Sequence, residues 1–299
     1  MDGTYLLQQI VNGISLGSIY ALVAIGFSIT YSILRLINFA HGDILMVACY
    51  TAFFLLVSSN FPLPFAIVGS MIVAALLGML VERVAFRPLR TASEEAMLIT
   101  SIAVSILLQN LGILLLSPQP KKFSFPDFFA QRHEVYNISF DNMTVLTILV
   151  AVLLMLVLTL FVKYTKIGTA MRACSENIGA ARMMGIDINV VVAVAFAIGS
   201  ALAAVAGVML GGQYGRIEPL MGFVPGLKAF VAAVIGGIGS IPGAALGGYI
   251  LGVFEIVLVG MLPIALTGYR DAAVFLLLIL VLLLRPNGIL NSGEGGNKV

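Results

Sequence analysis

The chain has 299 residues, of which 60% are hydrophobic and 10% charged, with a net charge of +2 and a mean hydropathy of +1.09. Soluble domains carry about 25% charged residues, so this composition excludes a water-soluble globular protein, and the lack of a basic cluster excludes nucleic-acid binding. Lipid is the solvent that fits: eight spans of about 20 residues need on the order of 160 positions.

Apolar runs fall at 6–34, 44–60, 62–81, 96–117, 143–162, 189–212, 223–262 and 272–284. They lack alternating polar residues, so helices rather than a barrel satisfy the backbone in lipid. The predicted fold is an all-α polytopic membrane protein of about 8–10 spans, with residues 1–290 as a single transmembrane domain. The first cation is Arg35, so the first run lacks the positive flank of a signal peptide and reads as a retained span. The last run is short for a crossing. The run 223–262 is long enough for two helices, and Gly236, Gly237 and Pro242 mark a break, which predicts a re-entrant or broken helix pair.

Charged islands set the predicted orientation. Segments 82–95 and 163–188 carry Arg83, Arg87, Arg90, Lys163, Lys166, Arg172 and Arg182. In segment 118–142, Lys121, Lys122 and Arg132 are balanced by Asp127, Glu134 and Asp141. This places 82–95 and 163–188 in the cytoplasm and 118–142 and the N-terminus outside. The polar tail 291–299 reads as disordered and cytoplasmic. No strong internal repeat is visible, although inverted repeats are often hidden in hydropathy.

Four features stand out. Arg35, Asn38 and His41 follow an i, i+3, i+6 spacing that puts them on one helical face at a membrane boundary, either as interfacial residues or as a polar gate. In the island 163–188, Ser175 reads as an N-cap, Glu176 suits the helix start and Gly185 suits the C′ position. This predicts a two-turn helix carrying Ala180, Ala181, Met183 and Met184, as a solvated loop or a docking element. Gly239, Gly243 and Gly247 form an i, i+4, i+8 stripe, and Gly248 and Gly252 form a neighbouring one, for close helix packing. Lys228 reads as a snorkelled interface residue and Glu255 as facing the bundle interior, free to pair with each other or with a partner subunit. Glu82 and Arg83 read as interfacial. Cys49 and Cys174 make no disulfide framework. No zinc or Walker A pattern occurs, and no nucleophile is paired with a base.

A family resemblance joins these segments. Residues 179–185, Gly-Ala-Ala-Arg-Met-Met-Gly, resemble the Glu-Ala-Ala-x-x-x-Gly coupling loop of ABC importer permeases, with Gly179 where that motif has Glu. Ile37-Asn38-Phe39-Ala40-His41-Gly42, Gly168–Ala173, Lys228–Gly237 and Arg285–Leu290 resemble signatures of branched-chain amino acid permeases of the LivH type, in the family's order. The resemblance implies a transport subunit rather than an enzyme, in a bacterial inner membrane, with a homologous second permease, two cytoplasmic ATPases that bind ATP and Mg, and a periplasmic amino-acid-binding protein. The chain itself then holds no cofactor. By the same resemblance Arg172, Glu176, Ala180, Ala181, Met184 and Gly185 belong to the ATPase-coupling loop. Asn38, His41, Lys228 and Glu255 are candidates for lining or gating the path. Related permeases for urea and short amides share much of the pattern. An ion-coupled carrier is the competing class, sustained mainly by Glu255.

Overall fold

The computed structural model describes residues 3–290; the tail 291–299 lies outside the described residues. The chain is helical, and eight helices are long and apolar enough to cross a membrane. Helix α1 (Gly3–Leu34) is followed by an irregular stretch and by α2 (His41–Phe53), which continues as a π-helical turn to Ser58. Helix α3 (Leu63–Val81) runs on through a π-helical and a 3-10 turn to Leu89, and α4 (Glu94–Leu116) starts on the Ser93 cap, whose side chain accepts from Ala96 N. Next come β1 (Lys121–Lys122), α5 (Asp127–Ala130) and the hairpin β2 (Arg132–Val135) and β3 (Ile138–Asp141). Helix α6 (Asn142–Tyr164) leads into α7 (Lys166–Glu176) and α8 (Ile178–Met183). Then follow α9 (Ile188–Tyr214), β4 (Arg216–Ile217), α10 (Phe223–Gly236), α11 (Ile241–Met261), a 3-10 segment and α12 (Arg270–Leu284).

The run 223–262 is therefore one short helix and one full span, broken at Gly237–Ser240. Gly239 sits in that break with φ +94°, a conformation that favours glycine. It belongs to the turn and not to the helical stripe predicted for it. Its N–H donates to Ser28 Oγ of α1 at 2.9 Å. At about 1.5 Å per residue, the 14 residues of α10 span about 21 Å, less than the hydrocarbon core of about 30 Å.

The centre of the bundle is α1, packed between α11 and α9. The two glycine stripes of α11 serve different neighbours. A Cβ on Gly243 or Gly247 would run into the backbone of Gly236 or Ala232 on α10, and one on Gly248 or Gly252 into Ala21 or Gly17 on α1. The contact is reciprocal: a Cβ on Gly17 would stand 2.9 Å from Tyr249 Cα, and one on Gly13 2.7 Å from Val253 Cα. Helix α1 crosses α9 where Gly26 meets Gly199.

The contacts also give directions. Helix α1 starts beside the hairpin, where Gln8 Nε2 donates to Ser139 O at 2.7 Å, and its last turns reach the end of the bundle that holds α7 and α8. Helix α9 runs opposite to α1, since Gln213 near its end bonds Ser15 while Gly199 meets Gly26. The order α1–α4 is then repeated upside down as α9–α12. The pairs α1–α11 and α9–α3 correspond, as do α2–α9 and α10–α1, α2–α3 and α10–α11, and α2–α4 and α10–α12. This inverted repeat was hidden in the sequence because the two halves share helix order and not residue pattern.

Each half has a helix that begins inside the bundle. After α1, residues 35–40 turn back inward, with Leu36, Asn38 and Ala40 buried. The His41 ring lies against Gly26, eight residues or about 12 Å before the end of α1. In the other half, residues 215–222 return inward, and Gly222 and Gly226 touch Gly42 at the start of α2. Irregular backbone is tolerated at such depth only where protein encloses it.

Replacing Gly252 by Leu forces a side chain into the α1 backbone, and overpacking costs about 1–3 kcal/mol. The variant should show a clearly lower thermal midpoint in detergent, whereas Gly268→Ala, whose Cβ meets nothing within 4 Å, should match the parent.

Candidate functional site

Lys228 lies in the second turn of α10 and is 2% exposed. It is not at an interface, as its sequence neighbourhood suggested: α11 and α12 bring two carboxylates to it. Its Nζ lies 2.6 Å from Glu255 Oε1 and 2.7 Å from Asp271 Oδ1. Tyr20 of α1 donates to Glu255 Oε2 at 2.9 Å, and its ring centroid is 6.0 Å from the Lys228 ammonium. Arg270 stands further off, with Nε 3.7 Å from Glu255 and 3.5 Å from Asp271. The pairing of Lys228 with Glu255 was one of the options open in the sequence. The parts played by Asp271 and Tyr20 were missed, because an Asp at a helix start and a Tyr in an apolar run are both ordinary.

Tyr20, Lys228, Arg270 and Asp271 of this network line a cavity of about 260 Å3 between α1, β4, α9, α10 and α12. Arg216 and Glu218 also line it, together with the apolar Leu220, Met221 and Val224.

A second polar group sits at the start of α2. Asp43 is fully buried and accepts hydrogen bonds from Ser105 Oγ and from Gln109 Nε2 of α4, the latter at 3.0 Å. Beside it in sequence, Asn38 and His41 are buried, and neither Asn38 side-chain polar atom nor His41 Nε2 has a hydrogen-bond partner among the described residues. The His41 ring meets Phe27 edge-on at 4.8 Å. Arg35, Asn38 and His41 do not share a helical face. Helix α1 ends at Leu34, Arg35 adopts φ +55° and the next five residues are not helical. The i, i+3, i+6 spacing misled because a non-glycine residue in the left-handed region gives no sequence signal. Asp43 lies two residues beyond His41 and carried no signal of its own in the sequence.

The opposite end of the bundle carries the α7–α8 elbow. Thr165 caps α7, accepting from Gly168 N at 3.0 Å, and Arg172 Nη2 donates to Lys163 O at 3.3 Å. Ser175 and Glu176 are the last residues of α7 and not the start of a new helix. The cap of α8 is Asn177, whose Oδ1 accepts from Ala180 N at 3.0 Å. Gly185 follows α8 at φ +82°, as the C′ reading required. Ala181 is buried against the bundle, while Ala180 faces out and Met183 and Met184 are 84% and 82% exposed. Burial pushes the Cys174 thiol above its ordinary pKa. Nearby, Glu82 is buried and not interfacial, because Arg90 pairs with it and also donates to Asn189 Oδ1 of α9 at 2.9 Å. No group of His, Cys, Asp or Glu among the described residues could hold a metal.

Residues 9–284 match the family described as "Branched-chain amino acid transport system / permease component". The chain belongs to this family. It is 43% identical to the high-affinity branched-chain amino acid transport system permease protein LivH of Salmonella typhimurium, with 97% of each chain covered. The permease protein BraD of Pseudomonas aeruginosa is equally similar, at 43% over 97% of both chains. A probable LivH of Methanocaldococcus jannaschii is 30% identical over 91% of this chain and 88% of its own. Among solved structures, PsaBC from Streptococcus pneumoniae in complex with Fab aligns with a TM-score of 0.50 and 16% identity, covering 95% of this chain and 92% of that one, a likeness of fold alone. The protein is thus a multi-pass transport-system permease component and not an enzyme.

Within this permease, removing Lys228 leaves Glu255 buried without its cation, and breaking a buried pair costs about 3–5 kcal/mol. Lys228→Met should strongly lower the thermal midpoint of the purified protein, and adding Glu255→Leu should recover part of the loss.

Proposed function

We propose that the chain is the permease subunit of an ATP-driven ABC importer that carries leucine, isoleucine and valine across a bacterial inner membrane. The observation that carries this reading is similarity along the whole chain to permeases named for branched-chain amino acid transport. It works beside a homologous second permease, with two cytoplasmic ATPases that bind ATP and Mg and a periplasmic receptor that delivers solute.

The α8 end then faces the cytoplasm and the hairpin end faces the receptor, in keeping with the arginines and lysines near the α8 end. Met183 and Met184 offer soft apolar contact to an ATPase surface, and buried Ala181 ties α8 to the bundle. Closure of the ATPases pushes α8, and α7 passes the movement to α1, α6 and α9, which it touches. The buried start of α2, with Asn38 and His41, and Lys228 of α10 with its partner Glu255 of α11 lie where the two short helices turn inward, and they gate the path between outward and inward exposure.

Two measurements test this reading. With the whole transporter in proteoliposomes, Met184→Glu should reduce receptor-stimulated ATP hydrolysis and leucine uptake at least about tenfold, the effect of losing about 1.4 kcal/mol of coupling, while assembly in the membrane is retained. Unchanged stimulation would remove α8 from the coupling role. In intact cells, Tyr136→Cys, at a position 94% exposed on the hairpin turn, should react with an impermeant maleimide added outside. Met183→Cys should react only after the membrane is opened, and equal labelling of the two would overturn the orientation.

A further inference from the structure

The ions gathered around Lys228 answer one another, but two other charged residues of the same cavity do not. Arg216 and Glu218 both line the cavity, and neither takes part in an ion pair among the described residues. They stand two residues apart, on either side of the fully buried Ile217, and both side chains reach the cavity. Across the ladder Arg216 is paired in register with Lys122. Two cations facing each other across strands are unfavourable, and Lys122 has no acidic partner among the described residues either. Arg270, 46% exposed, holds its neighbours only at 3.5 Å and beyond, so its guanidinium has donors to spare. Besides the buried Lys228, the cavity thus presents the cations Arg216 and Arg270 and the carboxylates of Glu218 and Asp271, next to the apolar Leu220, Met221 and Val224.

We propose that this cavity is a receiving site for a free apolar α-amino acid. Its carboxylate is held by Arg216 and Arg270, its ammonium by Glu218, and its side chain lies on Leu220, Met221 and Val224. The inference rests on the importer reading given above and adds where, in this chain, the solute first docks. The volume of about 260 Å3 is below the roughly 300–1,000 Å3 of clefts for drug-sized ligands and suits a single amino acid. Exposed charge pairs bind weakly, which fits a stop on a path, because a site that held its solute tightly would not release it. The opposite charges also select for the zwitterion: an amine or a carboxylic acid alone leaves one protein charge unanswered.

The test uses the whole transporter in nanodiscs without receptor, and saturation-transfer NMR on added L-leucine. The parent complex should transfer saturation to the leucine methyls. Arg216→Gln and Glu218→Gln should each weaken binding about threefold to fivefold, the loss expected for one exposed charge pair, while Arg216→Lys keeps most of it. Leucinamide, which lacks the carboxylate, should be insensitive to Arg216→Gln, and 4-methylpentanoate, which lacks the ammonium, insensitive to Glu218→Gln. Basal ATP hydrolysis by each variant complex shows that it has assembled. No transfer in the parent, or an undiminished signal in both Gln variants, would overturn the site, as would variants that lose only affinity for the receptor. These outcomes differ from failure of the importer reading, in which the full assembly with receptor takes up none of leucine, isoleucine or valine.

Discussion

The backbone contact of α1 with α11 on one side and α9 on the other is the constraint on which the rest of the bundle depends. In lipid there is no hydrophobic force between helices, so they adhere by close van der Waals packing and by polar contacts. Gly13, Gly17 and Ala21 on α1, with Gly248 and Gly252 on α11, bring the two helices close enough that a Cβ at any of the four glycines would collide with the other helix. Gly26 and Gly199 do the same where α1 crosses α9. Because α1 is held so tightly in the middle, the chain on either side can fold back inward without meeting lipid. That enclosure is what allows α2 and α10 to begin in the interior.

Beginning a helix inside a membrane protein exposes orphan N–H groups and irregular backbone to an environment that cannot solvate them. Here the two starts answer each other by contact: Gly42 of α2 lies on Gly222 and Gly226 at the start of α10. Polar side chains collect in the same region for the same reason. Asp43 is satisfied by Ser105 and Gln109, and Lys228 by Glu255 and Asp271. Each of the two short helices thus carries a buried charged group, Asp43 or Lys228, that is bound to the helix two places further along in its own repeat, α4 or α12. The polar chemistry follows the scaffold's symmetry even though the residues differ.

What the sequence revealed and concealed divides along physical lines. Span positions were legible because insertion in lipid demands long apolar runs, and the break near Gly237 was legible because glycine and proline mark it locally. The cap at Gly185 followed from the same local chemistry. The N-cap of α8 was misplaced by two residues, since Ser175 and Asn177 are both good caps and only the end of α7 decides between them. The burial of Lys228 and Glu82 was misread because a charge near a run's edge looks interfacial until its partner is known: Asp271 is far from Lys228 in sequence, and Arg90 reaches Glu82 only through the π-helical and 3-10 turns after α3. The unwinding at Arg35 and the inverted repeat had no local signal, since one is a backbone conformation and the other a relation between helices far apart in sequence.

The two halves are alike in scaffold and unlike in charge. In the α1–α4 half the buried carboxylate of Asp43 is met by neutral donors, and no cation lies within ion-pair distance of it among the described residues. In the α9–α12 half the buried ammonium of Lys228 is met by two carboxylates, and Arg270 stands beside them. In both halves, parting the buried group from its partners would strand a desolvated charge. The ion network of one repeat thus ties α10 to both α11 and α12, whereas the start of α2 is tied through Asp43 to neutral donors of α4 alone.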